Sequence, residues 1–255
     1  DVSKFKCLKT LEGHSDWVYS VAYSPDGTKI ISGSVDRTIK IWDANTGRCL
    51  NSLEGHLNGV TSIAYSPDGT KIISGSYDKT IKIWYANTGA CLKTLEGHSE
   101  WVSSIAYSPD GTKIISGSRD KTIKIWDANT GECLKTLEGH SWLVNSVAYS
   151  PNGTKIISGS DDKTIKIWDA NTGECLKTLE GHSEWVSSVS YSPDGTKIIS
   201  GSGDKTIKIW DANTGECLNT LEGHSKEVDS VAYSPDGTKI ISGSVDKTIK
   251  IWGEE

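Results

Sequence analysis

Methionine is absent from the 255 residues, and no stretch approaches the roughly 20 consecutive apolar residues of a transmembrane helix. No signal-peptide core of apolar residues opens the chain. The formal net charge of −6 gives no excess of the Lys and Arg that attract nucleic acids and anionic membranes. These absences predict a protein that binds neither nucleic acid nor membrane. Because the sequence begins at Asp1 without a methionine, we expect a piece of a longer protein or a chain with a trimmed start.

The usual sequence signatures of catalysis are also missing. There is no Gly-x-x-x-x-Gly-Lys phosphate loop, no Gly-x-Ser-x-Gly nucleophile elbow and no His-Glu-x-x-His motif. No Cys-x-x-Cys pair suggests a zinc or redox site. The sequence therefore predicts a protein that is not an enzyme and that holds no cofactor and no metal.

What the chain does contain is one block of 42 residues that recurs six times. Consecutive Gly-His histidines, such as His14 and His56, are 42 residues apart, and the tryptophans of Ile-Lys-Ile-Trp, such as Trp42 and Trp84, keep the same spacing. A unit of about 40 residues cannot bury its apolar face alone, so repeats of this length pack on their neighbours. No linker, charge block or low-complexity run interrupts the period, which favours a single domain over residues 1–255.

The six cysteines follow the period, one in each repeat: Cys7, Cys49, Cys91, Cys133, Cys175 and Cys217. Equivalent positions of neighbouring repeats lie a whole unit apart, beyond the Cα separation of about 4.4–6.8 Å that a disulfide needs. We expect small, buried, reduced side chains, and hence a cytoplasmic location.

Within each repeat, tight turns separate four short stretches of β-strand composition. In the first repeat these are residues 17–23, 29–34, 38–42 and 49–53, with turns at Ser24-Pro-Asp-Gly27 and Asn45-Thr-Gly47. Ile30 and Ile31 are consecutive and therefore point to opposite faces of the second strand, so both faces must meet apolar surroundings. The pattern predicts four-stranded antiparallel units that either stack or close radially, and radial closure leaves only short protected edges.

The chain resembles the WD40-repeat proteins, whose units carry Gly-His near the start and Trp-Asp near the end. Gly-His is intact in all six copies, whereas the Trp-Asp pair departs at Tyr85 and Gly253. The resemblance implies an all-β, six-bladed β-propeller of four-stranded antiparallel blades. Because residues 6–11 match a fourth strand and the last repeat ends after its third, we expect the N-terminal strand to join the last blade and close the ring in a monomer. The alternative is an open ring that assembles with other chains.

The resemblance also implies a structural hydrogen-bonded tetrad of His, Ser, Asp and Trp in every blade. If these residues were catalytic or bound metal, the chain would have to carry six equivalent sites. A connected hydrogen-bonded network also satisfies the buried polar groups. The tetrads are His14, Ser32, Asp36, Trp42; His56, Ser74, Asp78, Trp84; His98, Ser116, Asp120, Trp126; His140, Ser158, Asp162, Trp168; His182, Ser200, Asp204, Trp210; and His224, Ser242, Asp246, Trp252.

Comparison of the six copies separates the repeated scaffold from a few variable offsets. In proteins that look like this one, those offsets line the top face around the central channel, where partners dock. The candidate partner-binding residues are Asp16, Trp17, Tyr19, Tyr77, Glu100, Trp101, Arg119, Trp142, Leu143, Glu184, Trp185 and Glu227. Trp17, Trp101 and Trp185 share one offset. With Asp161 and Asp229, the variable offsets hold six acids against the two bases Arg119 and Lys226.

An acidic and aromatic face suits a protein or peptide that carries Lys or Arg beside apolar side chains. The leading hypothesis is therefore a non-catalytic interaction scaffold. Four alternatives stay open: tryptophans that merely pack between blades, a sensor segment of a larger signalling protein, an amplified or designed propeller without a dedicated partner, and a propeller enzyme. The last is the weakest, because no histidine lies outside the repeated set.

Overall fold

A computed structural model describes residues 6–253, which form strands and turns without helices. Residues 1–5 and 254–255 of the predicted domain lie outside this range. The first five repeats each supply an inner, a second, a third and an outer strand, and the sixth supplies the first three of these. No helix in the described range could cross a membrane. The inner strands are β1 (Val18–Tyr23), β5 (Val60–Tyr65), β9 (Val102–Tyr107), β13 (Val144–Tyr149), β17 (Val186–Tyr191) and β21 (Val228–Tyr233).

The remaining strands follow the same order in every blade. The second strands are β2 (Lys29–Ser34), β6 (Lys71–Ser76), β10 (Lys113–Ser118), β14 (Lys155–Ser160), β18 (Lys197–Ser202) and β22 (Lys239–Ser244). The third strands are β3 (Ile39–Asp43), β7 (Ile81–Tyr85), β11 (Ile123–Asp127), β15 (Ile165–Asp169), β19 (Ile207–Asp211) and β23 (Ile249–Gly253). The outer strands are β4 (Cys49–Leu53), β8 (Cys91–Leu95), β12 (Cys133–Leu137), β16 (Cys175–Leu179) and β20 (Cys217–Leu221).

The strands form six antiparallel sheets arranged around one channel, which confirms the six-bladed all-β propeller. Five sheets have four strands in sequence order, and the sixth has the three strands β21-β22-β23. Tyrosine and proline side chains from all six blades line one cavity at the lower end of the channel. Each 42-residue repeat therefore supplies the inner, second and third strands of one blade.

The core lies between blades, as the two-sided apolar strands predict. Between the first and second blades, Ile31, Ile39 and Ile41 pack against Val60 and Ile63 of the next blade, and all five are buried. Equivalent clusters fill the four following interfaces. Each blade therefore presents one apolar face to the blade before it and another to the blade after it.

A glycine on each second strand permits this close approach. A Cβ on Gly117 would lie 2.8 Å from Val144 Cγ1 and 2.9 Å from Val147 Cγ1 of the next blade. These separations are shorter than any relaxed carbon–carbon contact, so a side chain here would push the two blades apart.

The expected closure of the ring by the N-terminal strand is not formed. Residues 6–11 contain no strand, and within the described residues no outer strand pairs with the free edge of β23. Leu11 and Lys9 instead lie against Gly47, as outer-strand residues Leu53 and Asn51 lie against Gly89. The segment occupies the place of a preceding blade's outer strand, but the five steps from the first blade to the sixth do not bring β23 beside it.

The prediction that the cysteines are buried is wrong, since all six are free and exposed. Each one begins an outer strand, or the equivalent N-terminal segment, and no further strand covers that edge. In β12 the pairing with β11 shifts between Lys135 and Cys133, so the inward orientation of Leu137 does not extend back to the cysteine. The Cys133 thiol lies 3.5 Å from the carbonyl oxygen of Lys135. Exposed free thiols still suit the expected reducing compartment, and the cytoplasmic location stays a prediction.

Candidate partner-binding face

The tetrad side chains are hydrogen-bonded to one another in every blade. In the third blade, His98 Nδ1 lies 2.7 Å from Asp120 Oδ2, His98 Nε2 lies 2.7 Å from Ser116 Oγ, and the Trp126 indole donates to Ser116 Oγ at 2.8 Å. The same three pairings occur in the other five blades with distances of 2.7–2.9 Å. Because all four groups are satisfied within the blade, the network holds the inner loop on the second and third strands.

Sequence reasoning missed a fifth member of this network, a threonine two residues after the aspartate. Thr122 donates through its hydroxyl and its backbone N–H to Asp120 Oδ1, at 2.6 and 2.9 Å. The same contacts hold the aspartate in the other blades. The repeated Asp-x-Thr spacing was the available signal, since a threonine at this distance closes the turn on the carboxylate.

The tetrad carboxylates titrate abnormally. Burial raises the pKa of Asp120, but hydrogen bonds from His98 and Thr122 outweigh it and leave the pKa well below its usual range. The turn carboxylate Asp26 shifts in the same direction, because hydrogen bonds from Ser24 and Thr28 lower its pKa to about 2. These groups are therefore more acidic in the folded chain than in the unfolded one.

We expect acid to unfold the protein through these carboxylates. A carboxyl group with a lowered folded-state pKa contributes stability above its unfolded pKa of about 4, and that stability is lost as the pH falls further. The midpoint of thermal unfolding, measured from pH 7 to pH 2, should be flat to about pH 4 and then fall. The Asp120→Asn variant should show a shallower fall. A midpoint that is independent of pH down to pH 2 would contradict this origin of stability.

The variable position that Tyr19 occupies in the first repeat forms a β-bulge on the inner strand of each blade. Pairing along the inner strand shifts around this residue in every blade, as between Val102 and Ser104 of β9, so the extra residue stands out of the ladder. Ser103 donates from this position to the carbonyl oxygens of Gly117 and of Val144 in the next blade. Thr61 and Ser187 bond in the same way. In these three blades, the residue at this variable position therefore links its blade to the next one.

The structure places most of the candidate aromatic residues in one row on the top face. Ring centroids are 6.4 Å apart for Trp17 and Tyr19, 6.0 Å for Tyr19 and Tyr77, and 4.3 Å for Tyr77 and Trp101. The Arg119 guanidinium lies 4.5 Å from the Trp101 ring centroid. Trp101 is thus half-buried between Tyr77 and Arg119. Truncation of Trp101 should therefore lower stability more than truncation of the exposed Trp17.

The other two candidate tryptophans stand apart from this row. Trp185 lies flat against Gly203, where a Cβ would overlap the indole ring. Trp142 is more exposed, with the Lys121 ammonium 4.8 Å from its ring centroid. The neighbouring Leu143 is half-buried, and its carbonyl oxygen accepts the backbone N–H of Asp161 at 2.9 Å. Exposed indoles therefore occur at three separate places around the face.

Repeated lysines neutralise part of the candidate acidic rim. Lys79 Nζ lies 3.3 Å from Glu100 Oε1, and Lys163 Nζ lies 3.7 Å from Glu184 Oε1 of the next blade. These lysines follow the tetrad aspartate, at a turn position with φ near 70°. The count of acids and bases at the variable offsets did not include these lysines, because lysine recurs at this position from the second repeat onward. The face is therefore less acidic at its rim than the sequence count indicates.

Unpaired acidity remains at the mouth of the channel. A cavity of about 520 Å³ there is lined by Tyr19, Arg119, Asn145, Asp161, Trp185, Ser187 and Asp229. Asn145 donates to Asp161 at 2.7 Å and to the Val186 carbonyl oxygen at 3.0 Å. Partial desolvation and the nearby Glu227 carboxylate raise the pKa of Asp229. Asp229 and Glu227 thus repel each other, and a cation placed between them would relieve that repulsion.

No group of three or more His, Cys, Asp or Glu side chains within residues 6–253 has the geometry of a metal site. The histidines and tetrad aspartates are already bonded to each other, and Asp16 is exposed with its carboxylate accepting the N–H of Trp17 at 2.8 Å. The groups that this face exposes include aromatic rings, carboxylates and Arg119.

Two family descriptions match the chain. The WDR3 first beta-propeller domain matches residues 100–253, and the WD domain, G-beta repeat, matches residues 5–43 and 47–85. With six blades and the Gly-His and Trp positions in register, the chain belongs to the WD40-repeat β-propeller family.

The chain is similar to proteins from several fungi, each over about one repeat. Similarity is 52% identity over 42 residues to the transcriptional repressor rco-1 of Neurospora crassa, covering 16% of this chain and 7% of that protein. It is 59% over 41 residues to the vegetative incompatibility protein HET-E-1 of Podospora anserina, covering 16% and 3%. It is 49% over 43 residues to cell division control protein 4 of Saccharomyces cerevisiae, covering 17% and 6%. The matched segment is thus a small part of each relative.

Proposed function

We propose that the protein is a non-catalytic scaffold whose top face binds a protein segment carrying Lys or Arg beside apolar residues. The observation that carries the proposal is the channel mouth, where Asp161 and Asp229 face a cavity of about 520 Å³ beside Trp185 and Tyr19. A cationic side chain entering there meets two carboxylates and aromatic rings together, against Arg119 as the single base of the lining. Membership of a repeat family whose relatives are named as a repressor and a cell division control protein supports a regulatory, non-enzymatic role.

The electrostatics favour a cation at the channel mouth over one at the rim. Glu100 and Glu184 already have lysine partners, so a cationic ligand gains little from them. Asp229 has Glu227 rather than a base as its charged neighbour, and partial burial together with this like charge raises the pKa of Asp229. Binding of Lys or Arg there replaces a like-charge contact with an ion pair in a partly enclosed site.

The aromatic row gives the apolar part of the ligand its place. Trp17 is 72% exposed and begins the row that runs through Tyr19 to Tyr77. Large exposed rings gathered on one face are typical of binding hot spots. A peptide that enters the channel mouth with its cation can therefore lay adjacent apolar residues along this row.

Selection from a random peptide library displayed on phage would test the proposal. We expect enrichment of peptides with Lys or Arg next to Leu, Phe or Trp, with affinity falling as salt rises. The double variant Asp161→Asn and Asp229→Asn should weaken the selected peptides at least tenfold. Lys135→Ala, on the repeated outer surface, is the matched control and should change little. Enrichment of acidic peptides, or unchanged affinity in the double variant, would overturn the proposal.

A further inference from the structure

The sixth blade and the first blade each leave one half of an inter-blade interface uncovered. Ile249 is 78% exposed, although the equivalent Ile39 of the first blade is fully buried. On the other side of the gap Val21 is 67% exposed, although the equivalent Ile63 is only 5% exposed. Val18, Tyr23, Ile241 and Ile251 are exposed with them. The two faces are complementary because they are the two sides of the interface that the chain forms five times.

The hydrogen bonds of the interface repeat the same pattern. In each formed interface, a backbone N–H of one inner strand donates to the Ser Oγ of the preceding inner strand, at 3.1–3.2 Å. The last of these joins Val231 to Ser188. Within residues 6–253, no corresponding hydrogen bond joins the backbone N–H of Val21 to Ser230 Oγ. These two residues lie on the inner strands β1 and β21, which border the gap. Both polar groups therefore remain available to another inner strand.

The geometry of the gap indicates how many blades it takes. The five formed interfaces have the same packing and the same bond, so successive blades turn by equal steps. Rotations of about 60° between successive blades would bring the sixth blade into contact with the first and close a ring of six. Rotations of about 51° would instead leave a gap as wide as one blade, as in a ring of seven with one blade missing. Tyr19 of the first blade and Asp229 of the sixth line one cavity, so the two blades still share the channel mouth.

We propose that this gap binds one further 42-residue repeat of the kind that the chain carries six times. Its first strand would pair with β23 as the missing outer strand of the sixth blade, and its next three strands would cover both apolar faces. Cys7 to Leu11, already held against Gly47 in the position of an outer strand, would complete the added blade. The free edge of β23 and the unpaired N-terminal segment are the two neighbours that one repeat with this order of strands would need.

A peptide of residues 133–174, which has this strand order, tests the proposal directly. Mixed with the whole chain and followed by titration calorimetry and sedimentation, it should form a complex of one peptide per chain. Ile249→Asp and Val21→Asp, which alter faces that are exposed in the free chain, should each weaken the complex at least tenfold. Leu57→Asp is the matched control, because Leu57 is 82% exposed away from the gap, and should leave the affinity unchanged.

A second version links the same 42 residues to the chain after Gly253. The midpoint of thermal unfolding should rise by about 10 °C, because two interfaces form at once. Ile249→Asp should then be strongly destabilising in the extended chain and nearly neutral in the original one. Three results would overturn the proposal: no complex and no rise in the midpoint, a complex that is indifferent to Ile249→Asp, or association of the chain alone into dimers of about twice 27.6 kDa.

Discussion

Gly117→Ala is expected to lower the free energy of unfolding by about 1–3 kcal/mol, the usual effect of overpacking a tight core. The new Cβ would lie 2.8 Å from Val144 Cγ1 and 2.9 Å from Val147 Cγ1, and both side chains are buried between blades. Neither valine can move away without opening the interface. Denaturant unfolding of the variant measures the loss.

The sixth blade supplies the matched control for this substitution. Gly243 occupies the equivalent position, but no atom lies within 4 Å of the place of its Cβ, because it faces the gap. Gly243→Ala should therefore be neutral or stabilise by up to about 1 kcal/mol, since alanine restricts the unfolded chain. If Gly243→Ala costs as much as Gly117→Ala, the first and sixth blades meet in solution and the ring is closed.

Trp126→Ala is expected to cost about 3–5 kcal/mol, the range for removing a large aromatic from a core. Trp126 is 1% exposed, packs between blades and donates to Ser116 Oγ at 2.8 Å. Trp126→Phe keeps most of the packing, so its loss of about 1–3 kcal/mol would report the hydrogen bond to the tetrad. Chemical denaturation of both variants separates the two contributions.

Two controls test whether this cost comes from the buried tetrad. Trp252→Ala removes the same tetrad indole from the sixth blade, where it is only partly buried, and should cost less. Trp142→Ala removes an exposed ring and should change stability by about 0.5 kcal/mol or less. Equal costs for Trp126→Ala and Trp142→Ala would contradict a structural role for the tetrad.

The repeat made most of the fold predictable. The 42-residue period, the turns and the paired isoleucines indicate four strands per unit with two buried faces, and the structure has this arrangement. The tetrad was implied by the resemblance to the WD40-repeat proteins, and the residues that form it are shared by every copy. Closure could not be predicted, because it depends on the small rotation between blades, which no single residue of a repeat determines. A difference of about 9° per step separates a closed ring of six from an open one.

The candidate site was only partly predictable, because its properties arise between blades. Trp17 and Trp101 share one offset, yet Trp101 is half-buried because Tyr77 of the previous blade lies against it. Lys79 and Lys163 pair with acids of the next blade, although comparison of the copies classed these lysines as scaffold. The variable positions locate the face, and their neighbours decide which side chains remain free to bind.

Trp17→Ala tests most directly the claim that variable residues bind while repeated residues fold the chain. Two quantities are measured on this variant, the affinity for a selected basic and apolar peptide and the midpoint of thermal unfolding. Because Trp17 is 72% exposed and its ring pairs edge-on with Tyr19, we expect binding to weaken by about 2 kcal/mol or more with the unfolding midpoint unchanged. A lower midpoint with unchanged affinity would show that the ring belongs to the packing, and the proposed binding face would be wrong.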